Sequence, residues 1–270
     1  MHRAYLYAVF RLASTKIMAP SDTTIIFVPG GWHQPDCFDA VAKELQSAGY
    51  DTDYVYLASV GPPKHVMDHK PDIAEVQKSI EKACSKGQKI VVLGHSYGGI
   101  IVSSAVKGYD YKSRQAAGQK GGVTQLFYCC SFIIPEGKSL IEAFGGNDLP
   151  WFIVSEDKLE INPDTPEKIF YNDIPESKHA ELIRQLKPMS YQPFHTKLAY
   201  AGWAHIPSTY LYCTKDNAIP TFVQEMMVND WAGGAGVKVR TETVDASHSP
   251  FLSMPKETAA AIQRCAELPV

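Results

Sequence analysis

The sequence predicts an α/β fold: a mostly parallel central sheet with helices on both faces and a helical insertion. Short apolar runs alternate with segments of helical periodicity, which is typical of parallel sheets built from strand–helix–strand units. Several of these runs are wholly apolar, as expected for strands covered on both faces. The alternation stops between residues 132 and 206, where short helical patterns and many prolines occur. Such a stretch is too long for a structureless loop.

The composition excludes several classes of protein. Of the 270 residues, 45% are hydrophobic and 20% are charged, and the formal net charge is −3. These values are typical of a globular chain and provide no basic surface for nucleic acid. No apolar run approaches the roughly 18–20 residues of a membrane span. We therefore expect a soluble protein that binds a small-molecule substrate, with neither a nucleic-acid nor a membrane partner.

The elements follow in order from the apolar runs and their turn signals. Strands are predicted at residues 24–28, 53–57, 89–93, 123–130, 208–213 and 237–244. Helices are predicted at residues 36–48, 73–83, 100–106 and 255–266. Gly49 and Gly87 follow the first two helices as stop signals.

Three parts of the chain are predicted from this pattern. Residues 1–23 form an N-terminal extension, residues 24–131 and 207–270 form the core, and residues 132–206 form a helical cap over one edge of the sheet. The extension contains Arg3, Arg11 and Lys16 but no acid before residue 22, so a mitochondrial presequence stays open. Asn-x-Ser/Thr sequons are absent and the six cysteines show no zinc spacing. We expect a cytoplasmic protein with reduced, mostly buried thiols.

The sequence Gly94-His95-Ser96-Tyr97-Gly98 fits the G-x-S-x-G pattern of a nucleophile elbow. It stands between a predicted buried strand and a helix-compatible segment, which is the context that the pattern requires. Small flanking residues let the strand and the helix approach closely while the serine takes a strained backbone conformation. Ser96 is therefore the candidate nucleophile.

A serine nucleophile requires a base and an acid that orients the base. Behind this elbow the expected chain order is serine, acid, histidine. His248 follows the last predicted strand and is the candidate base; His95 lies inside the elbow, and the remaining alternatives in the insertion are His179, His195 and His205. Asp216 directly follows the strand at 208–213 and is the candidate acid, with Asp245 as its competitor.

The oxyanion of the intermediate requires N–H donors that are already in place. We expect the backbone N–H of Tyr97, next to the nucleophile, and that of Gly31, in the loop after the first strand. The side chains of Trp32 and His33 are candidate substrate-binding groups, although either residue could simply pack beneath the cap.

With these residues assigned, the chain resembles an α/β-hydrolase fold protein and is similar to the plant methyl-ester esterase and hydroxynitrile lyase group. The resemblance is carried by Pro29-Gly30-Gly31-Trp32-His33, by the elbow and by Cys213-Thr-Lys-Asp216-Asn-Ala-Ile-Pro220. It implies a triad of Ser96, Asp216 and His248 that works without a cofactor. Pro29 stands where that group has histidine, and Ser249 stands where cyanohydrin-cleaving members have lysine, which disfavours that lyase activity.

The leading hypothesis is a serine hydrolase that cleaves a carboxylic ester, lactone or thioester of a small apolar molecule. A lyase or C–C bond-cleaving enzyme with the same triad, and a non-catalytic small-molecule receptor, are the alternatives. A metal site is not expected: His65 and His69 have metal-like spacing but no obvious third ligand.

Overall fold

The computed structural model describes residues 22–270 and centres on a six-stranded, wholly parallel sheet. The strand order is β2-β1-β3-β4-β8-β9. The strands are β1 (Thr23–Val28), β2 (Asp51–Tyr54), β3 (Lys89–His95), β4 (Gly122–Cys129), β8 (Ser208–Cys213) and β9 (Arg240–Val244). The predicted mostly parallel sheet is confirmed. The possible targeting segment at residues 1–21 lies outside the described residues.

Both faces of the sheet are buried, and the side-chain alternation of the strands divides the core into two halves. Ile26 and Val92 belong to one hydrophobic cluster, whereas Ile25 and Val91 belong to the other. Successive side chains of a strand point to opposite faces, so a strand that is covered on both sides must be apolar throughout. This explains why the central strands appear in the sequence as continuous apolar runs.

Helices cover each face through their apolar stripes. On one face lie α2 (Lys70–Ser85) and α3 (Gly98–Ala105), which contribute Val76 and Ile101 to the first cluster. On the other face lie α1 (Asp39–Ser47) and α10 (Pro255–Ala266), which contribute Leu45 and Ile262 to the second. The remaining helices of the core are α4 (Tyr111–Ala116), α8 (Thr221–Met226), which continues as a π-helix over Met227–Ala232, and α9 (Pro250–Ser253).

The cap segment, residues 132–206, is not purely helical. Its helices are α5 (Leu140–Ala143), α6 (Pro166–Ile169) and α7 (Glu176–Gln185). Between them run β5 (Phe152–Val154), β6 (Glu160–Pro163) and β7 (Met189–Ser190), which form a separate antiparallel sheet in that order. These strands have only two to four residues each, so they are too short to give a period-two signal in the sequence.

Element boundaries differ from the predictions mainly at the edges of the sheet. The second strand was expected at residues 53–57 but is Asp51–Tyr54. Within residues 22–270, β2 pairs only with β1, so it is an edge strand and carries polar residues. The apolar Val55 and Leu57 are buried beyond its end. The last strand, β9, begins at Arg240 rather than at residue 237. It too lies at an edge of the sheet and carries polar residues.

Two further features concern the whole described chain. Among residues 22–270, no helix combines the length and apolar character that a membrane crossing requires. All six cysteines are free thiols, and five of them are buried. The expectation of reduced, mostly buried thiols agrees with this arrangement.

Candidate active site

The three predicted triad residues follow three different strands at the same edge of the sheet. Ser96 follows β3, Asp216 follows β8 and His248 follows β9. All strands of this sheet are parallel, so their carboxyl ends meet at one edge, where α/β proteins place their ligands. The fold therefore gathers residues that are up to 152 positions apart in the chain.

The turn at Ser96 has the strained conformation that the elbow pattern predicts. Ser96 has a φ of 52°, a left-handed conformation that costs energy for a residue with a Cβ. A Cβ on Gly98 would lie 2.5 Å from the carbonyl oxygen of Pro29, and a Cβ on Gly30 would lie 2.7 Å from the Cβ of Ser96. Helix α3 and the loop after β1 can therefore approach Ser96 this closely only because residues 98 and 30 are glycines.

Asp216 is buried and receives four hydrogen bonds. Its Oδ1 accepts from the backbone N–H groups of Ala218 and Ile219, both at 2.8 Å. Its Oδ2 accepts from His248 Nδ1 at 2.8 Å and from Gln224 Nε2 at 3.3 Å. Donors on every side fix the carboxylate and offset the cost of burying its charge.

The contact with Asp216 sets the tautomer of His248. A carboxylate can only accept, so the ring Nδ1 carries the proton and donates it, which leaves the lone pair on Nε2 free to act as a base. Among residues 22–270, no hydrogen bond joins Ser96 Oγ to His248 Nε2. The structure therefore brings together the predicted base and acid, and the serine–histidine contact stays a prediction. Such contacts often tighten only when substrate is bound.

The competing acid and the competing histidines lie elsewhere. Asp245 pairs with Lys215 at 2.6 Å and accepts from Thr214 at 2.7 Å, on the exposed side of the loop. In the cap segment, His179 Nε2 donates to the carbonyl oxygen of Ile174 at 2.9 Å. Neither residue touches His248.

The two predicted oxyanion donors have free N–H groups. Within the described part of the chain, neither the backbone N–H of Gly31 nor that of Tyr97 donates a hydrogen bond. The hydroxyl of Tyr97 is anchored away from the backbone, since it donates to Asp72 Oδ2 at 3.0 Å. Burial raises the pKa of this hydroxyl well above its ordinary value, with the neighbouring Asp72 adding to the effect, so the phenol stays protonated.

Beside Ser96 lies a small, narrow apolar cavity. Trp32 has a φ of 64°, and its ring Nε1 donates to the carbonyl of Ile161 at 2.9 Å, which fixes the indole in the wall. Among the described residues, no charged side chain lines this cavity. The lining side chains are those of Trp32, Ser96, Tyr97, Phe132, Leu140, Leu149, Trp151, Phe152, Phe194, Ala218 and Ile219.

His33 lies outside the lining of this cavity. Its Nδ1 contacts the carbonyl oxygen of Gly31 at 2.9 Å, and its Nε2 contacts the hydroxyl of Tyr171 at 3.0 Å. Burial is the main cause that lowers its pKa to about 4, so the ring is neutral near pH 7. The geometry thus places Trp32 on the cavity and His33 behind the first loop, and the role of either residue in binding substrate stays a prediction.

Sequence reasoning missed two supports of the site. Gln224, fully buried in α8, donates to Asp216 and to the carbonyl of Ile219, and its own oxygen accepts from the N–H of Cys213. His95 donates from Nε2 to the carbonyl of His248 at 2.8 Å. Burial lowers the pKa of His95 well below its ordinary value, so this ring is neutral as well. A single polar residue in an apolar helix stripe was the available signal for Gln224.

The residues at the site do not form a free set of metal ligands. Among residues 22–270, one group of three candidate ligand side chains occurs: His95, Cys130 and His248, with their ligand atoms within 4.8 Å of one another. His95 and the Cys130 thiol both donate to the carbonyl of His248, and burial raises the pKa of that thiol well above its ordinary value. A protonated thiol and an imidazole already engaged are poor ligands for a cation.

Comparison with known proteins identifies the family of this chain. The profile of the Alpha/beta hydrolase family matches residues 25–261, so the chain belongs to this family. An alpha/beta hydrolase from Aspergillus novofumigatus is 30% identical over 90% of this chain and 96% of its own length. A pyrethroid hydrolase from Sphingobium wenxiniae is 28% identical, with coverages of 92% and 89%.

A solved methylesterase from Arabidopsis has the same fold. It superposes with a TM-score of 0.67 at 18% identity, covering 90% of this chain and 98% of its own. The predicted fold class and the assignment as a hydrolase are confirmed by the family match and these relatives, and the resemblance to the plant methyl-ester esterase group is confirmed by curated methylesterases from Arabidopsis at 21% and 22% identity.

Proposed function

We propose that the chain is a cofactor-free serine hydrolase that cleaves a carboxylic ester, lactone or thioester of a small apolar molecule. The observation that carries the proposal is the buried hydrogen bond from His248 Nδ1 to Asp216, at the edge of the sheet where Ser96 borders an apolar cavity. This bond presents a basic Nε2 lone pair on the same edge as a serine in a strained turn.

The proposed reaction has two halves. His248 Nε2 takes the proton of Ser96 Oγ while this oxygen attacks the carbonyl carbon, and the oxyanion accepts from the N–H groups of Gly31 and Tyr97. The intermediate collapses, the leaving group takes the proton from His248, and an acyl-enzyme remains on Ser96. A water molecule, deprotonated by His248, then releases the acid and restores the serine. Asp216 stabilises the imidazolium in both halves.

The lining of the cavity supports an uncharged substrate. Burying an unpaired charge among aromatic and aliphatic side chains costs several kcal/mol or more, so this wall favours neutral, apolar acyl or alcohol groups. The names of the relatives point the same way, since they include a pyrethroid hydrolase and methylesterases.

The test is the intact mass of the protein after incubation with a fluorophosphonate probe. We expect one adduct on the wild type and none on Ser96→Ala. Ser104→Ala is the matched control, because this serine lies in the adjoining helix and its buried hydroxyl has no partner among the described residues. It should be labelled like the wild type.

Two outcomes would count against the proposal. A folded wild type that forms no adduct would contradict an activated serine and would favour the receptor alternative. Turnover of a cleavable substrate without any trappable acyl-enzyme would favour lyase or C–C cleavage chemistry.

A further inference from the structure

Within residues 168–173 of the cap segment, five of the six residues make hydrogen bonds to three separate loops of the site. We call these six residues the bridging strip. The three loops are the one after β1, which holds Gly31, the one after β8, which holds Asp216, and the one after β9, which holds His248. Each loop leaves a different strand, so the sheet alone does not fix the distances between their tips.

The strip reaches the loop after β1 through Tyr171. The hydroxyl of Tyr171 lies 3.0 Å from His33 Nε2, and His33 Nδ1 lies 2.9 Å from the carbonyl oxygen of Gly31. A carbonyl oxygen can only accept, so Nδ1 carries the proton and Nε2 accepts from Tyr171. This relay holds the carbonyl of Gly31, and with it the peptide group between Gly31 and Trp32, which directly follows the proposed oxyanion donor.

The strip reaches the loop after β9 through Ser247, the residue before His248. The backbone N–H of Ser247 donates to Asp173 Oδ2 at 2.9 Å, and its hydroxyl donates to the carbonyl of Phe170 at 3.1 Å. The ring of Phe170 lies 5.6 Å from that of His248 and stacks on Trp32 at 5.7 Å. The strip therefore holds His248 through the backbone of the preceding residue and through the contact of its ring with Phe170.

The strip reaches the loop after β8 on both sides of Asp216. Asn172 Nδ2 donates to the carbonyl of Lys215 at 2.9 Å, and Asn217 Nδ2 donates to the carbonyl of Lys168 at 2.7 Å. These two bonds run in opposite directions between the strip and the loop. Together with those above, they connect the loops that hold the acid, the base and the oxyanion donor.

We propose that the bridging strip is a positioning element, with Tyr171 and Asp173 as positioning residues for the oxyanion donor and the base. The inference rests on the proposed function. Reacting groups must be held to within roughly 0.5 Å of the productive geometry, and the strip is the part of the cap segment that spans all three loops. The cap segment thus contributes to the chemistry as well as to the wall of the cavity.

The test is the second-order rate constant for labelling of Ser96 by the fluorophosphonate probe. Tyr171→Phe removes only the hydroxyl that holds His33, and we expect its labelling to be about 10-fold slower than that of the wild type. A fully misplaced reacting group can lower a rate roughly 100-fold, and we expect the loss of one hydroxyl to cause part of that decrease. Tyr191→Phe is the matched control, because its hydroxyl donates to Asp148 at 2.8 Å inside the same segment and touches none of the three loops. It should label at the wild-type rate, even though it too loses a hydrogen bond.

A double-mutant cycle separates positioning from general stability. In a His33→Phe background the hydroxyl of Tyr171 has no acceptor, so adding Tyr171→Phe should slow labelling no further. At the other loop, Asp173→Leu should slow labelling, whereas Asp173→Asn keeps an oxygen acceptor for Ser247 and should restore most of the rate. Thermal melts of each variant check that the comparison is made on folded protein.

The outcomes distinguish the two proposals. If the wild type is labelled and both Tyr171→Phe and Asp173→Leu are labelled equally fast, the positioning role is overturned and the hydrolase assignment stands. Additive effects of Tyr171→Phe and His33→Phe would overturn the relay. A folded wild type that is not labelled removes the proposed function, and the inference that rests on it falls too.

Discussion

Two glycines of the elbow (residues 94–99) and two of the cap segment (residues 132–206) are needed for different reasons. A Cβ on Gly94 or Gly98 would lie within 3.0 Å of neighbouring atoms, and neither glycine has a positive φ. In the cap segment, Gly145 and Gly146 have φ values of 93° and 82° with no atom within 4 Å of the position of a Cβ. Gly94 and Gly98 are therefore required by close packing, whereas Gly145 and Gly146 are required by turns with positive φ. Close packing thus fixes the geometry of the elbow, whereas hydrogen bonds of the bridging strip fix the cap segment against the site.

The largest effect is expected at Asp216, which contacts His248 from the core, and not at Asp173, which contacts Ser247 from the cap segment. Asp216→Asn should lower kcat for a p-nitrophenyl ester by about 10⁴-fold, because an amide does not enforce the Nδ1–H tautomer of His248. Asp173→Asn should stay close to the wild type, because Ser247 needs only an acceptor.

Asp245→Asn is the second control, since this exposed aspartate pairs with Lys215 and not with His248. We expect its kcat to equal that of the wild type. Loss of activity in Asp245→Asn with activity retained in Asp216→Asn would reverse the assignment of the acid.

A smaller effect, on stability, should separate the two kinds of glycine. Gly98→Ala forces a methyl group against the carbonyl oxygens of Val28 and Pro29 and should lower the free energy of unfolding by about 3 kcal/mol. Gly146→Ala meets no atom and costs only its left-handed backbone, about 1 kcal/mol. Urea unfolding of the two variants measures both numbers, and equal losses would contradict the distinction between the regions.

A pH-dependent effect on stability is expected at His33, which lies where the core and the cap segment meet. Its pKa is lowered from 6.5 to about 4 in the folded chain, mainly by burial, so the unfolded chain binds the proton more readily between these values. Stability contributed by neutral His33 is therefore complete above pH 6.5 and declines as the pH falls towards 4, by about 2 kcal/mol at pH 5.

His33→Phe isolates this contribution from that of His95. Between pH 7 and pH 5 the free energy of unfolding should fall by about 2 kcal/mol more in the wild type than in the variant. Parallel curves for the two proteins would show that His33 titrates normally in the folded chain.

The same contrast explains what the sequence could predict. The elbow, the loop around Asp216 and the position of His248 follow from local spacing and from strand order, because glycine turns and strand ends leave patterns along the chain. Central strands such as β3 and β8 were located closely for the same reason, since burial on both faces requires continuous apolar runs.

The bridging strip left no such pattern. Its hydrogen bonds run from Tyr171, Asn172 and Asp173 to a histidine and to backbone groups that are 43 to 138 positions away. Any sequence offers backbone partners, so nothing in the spacing marks these three residues. The short strands of the cap segment were missed because two to four residues do not establish a period.

The polar edge strands have a consequence for how the molecules behave toward one another. A sheet that ends in an unpaired strand can recruit a strand from a second molecule and so begin to aggregate. Here β2 carries Asp51 and Asp53 at one end of the sheet, and β9 carries Arg240 and Glu242 at the other. Docking another strand on either edge would bring it against these charged side chains. The charges that obscured the strand boundaries in the sequence thus protect the open edges of the folded sheet.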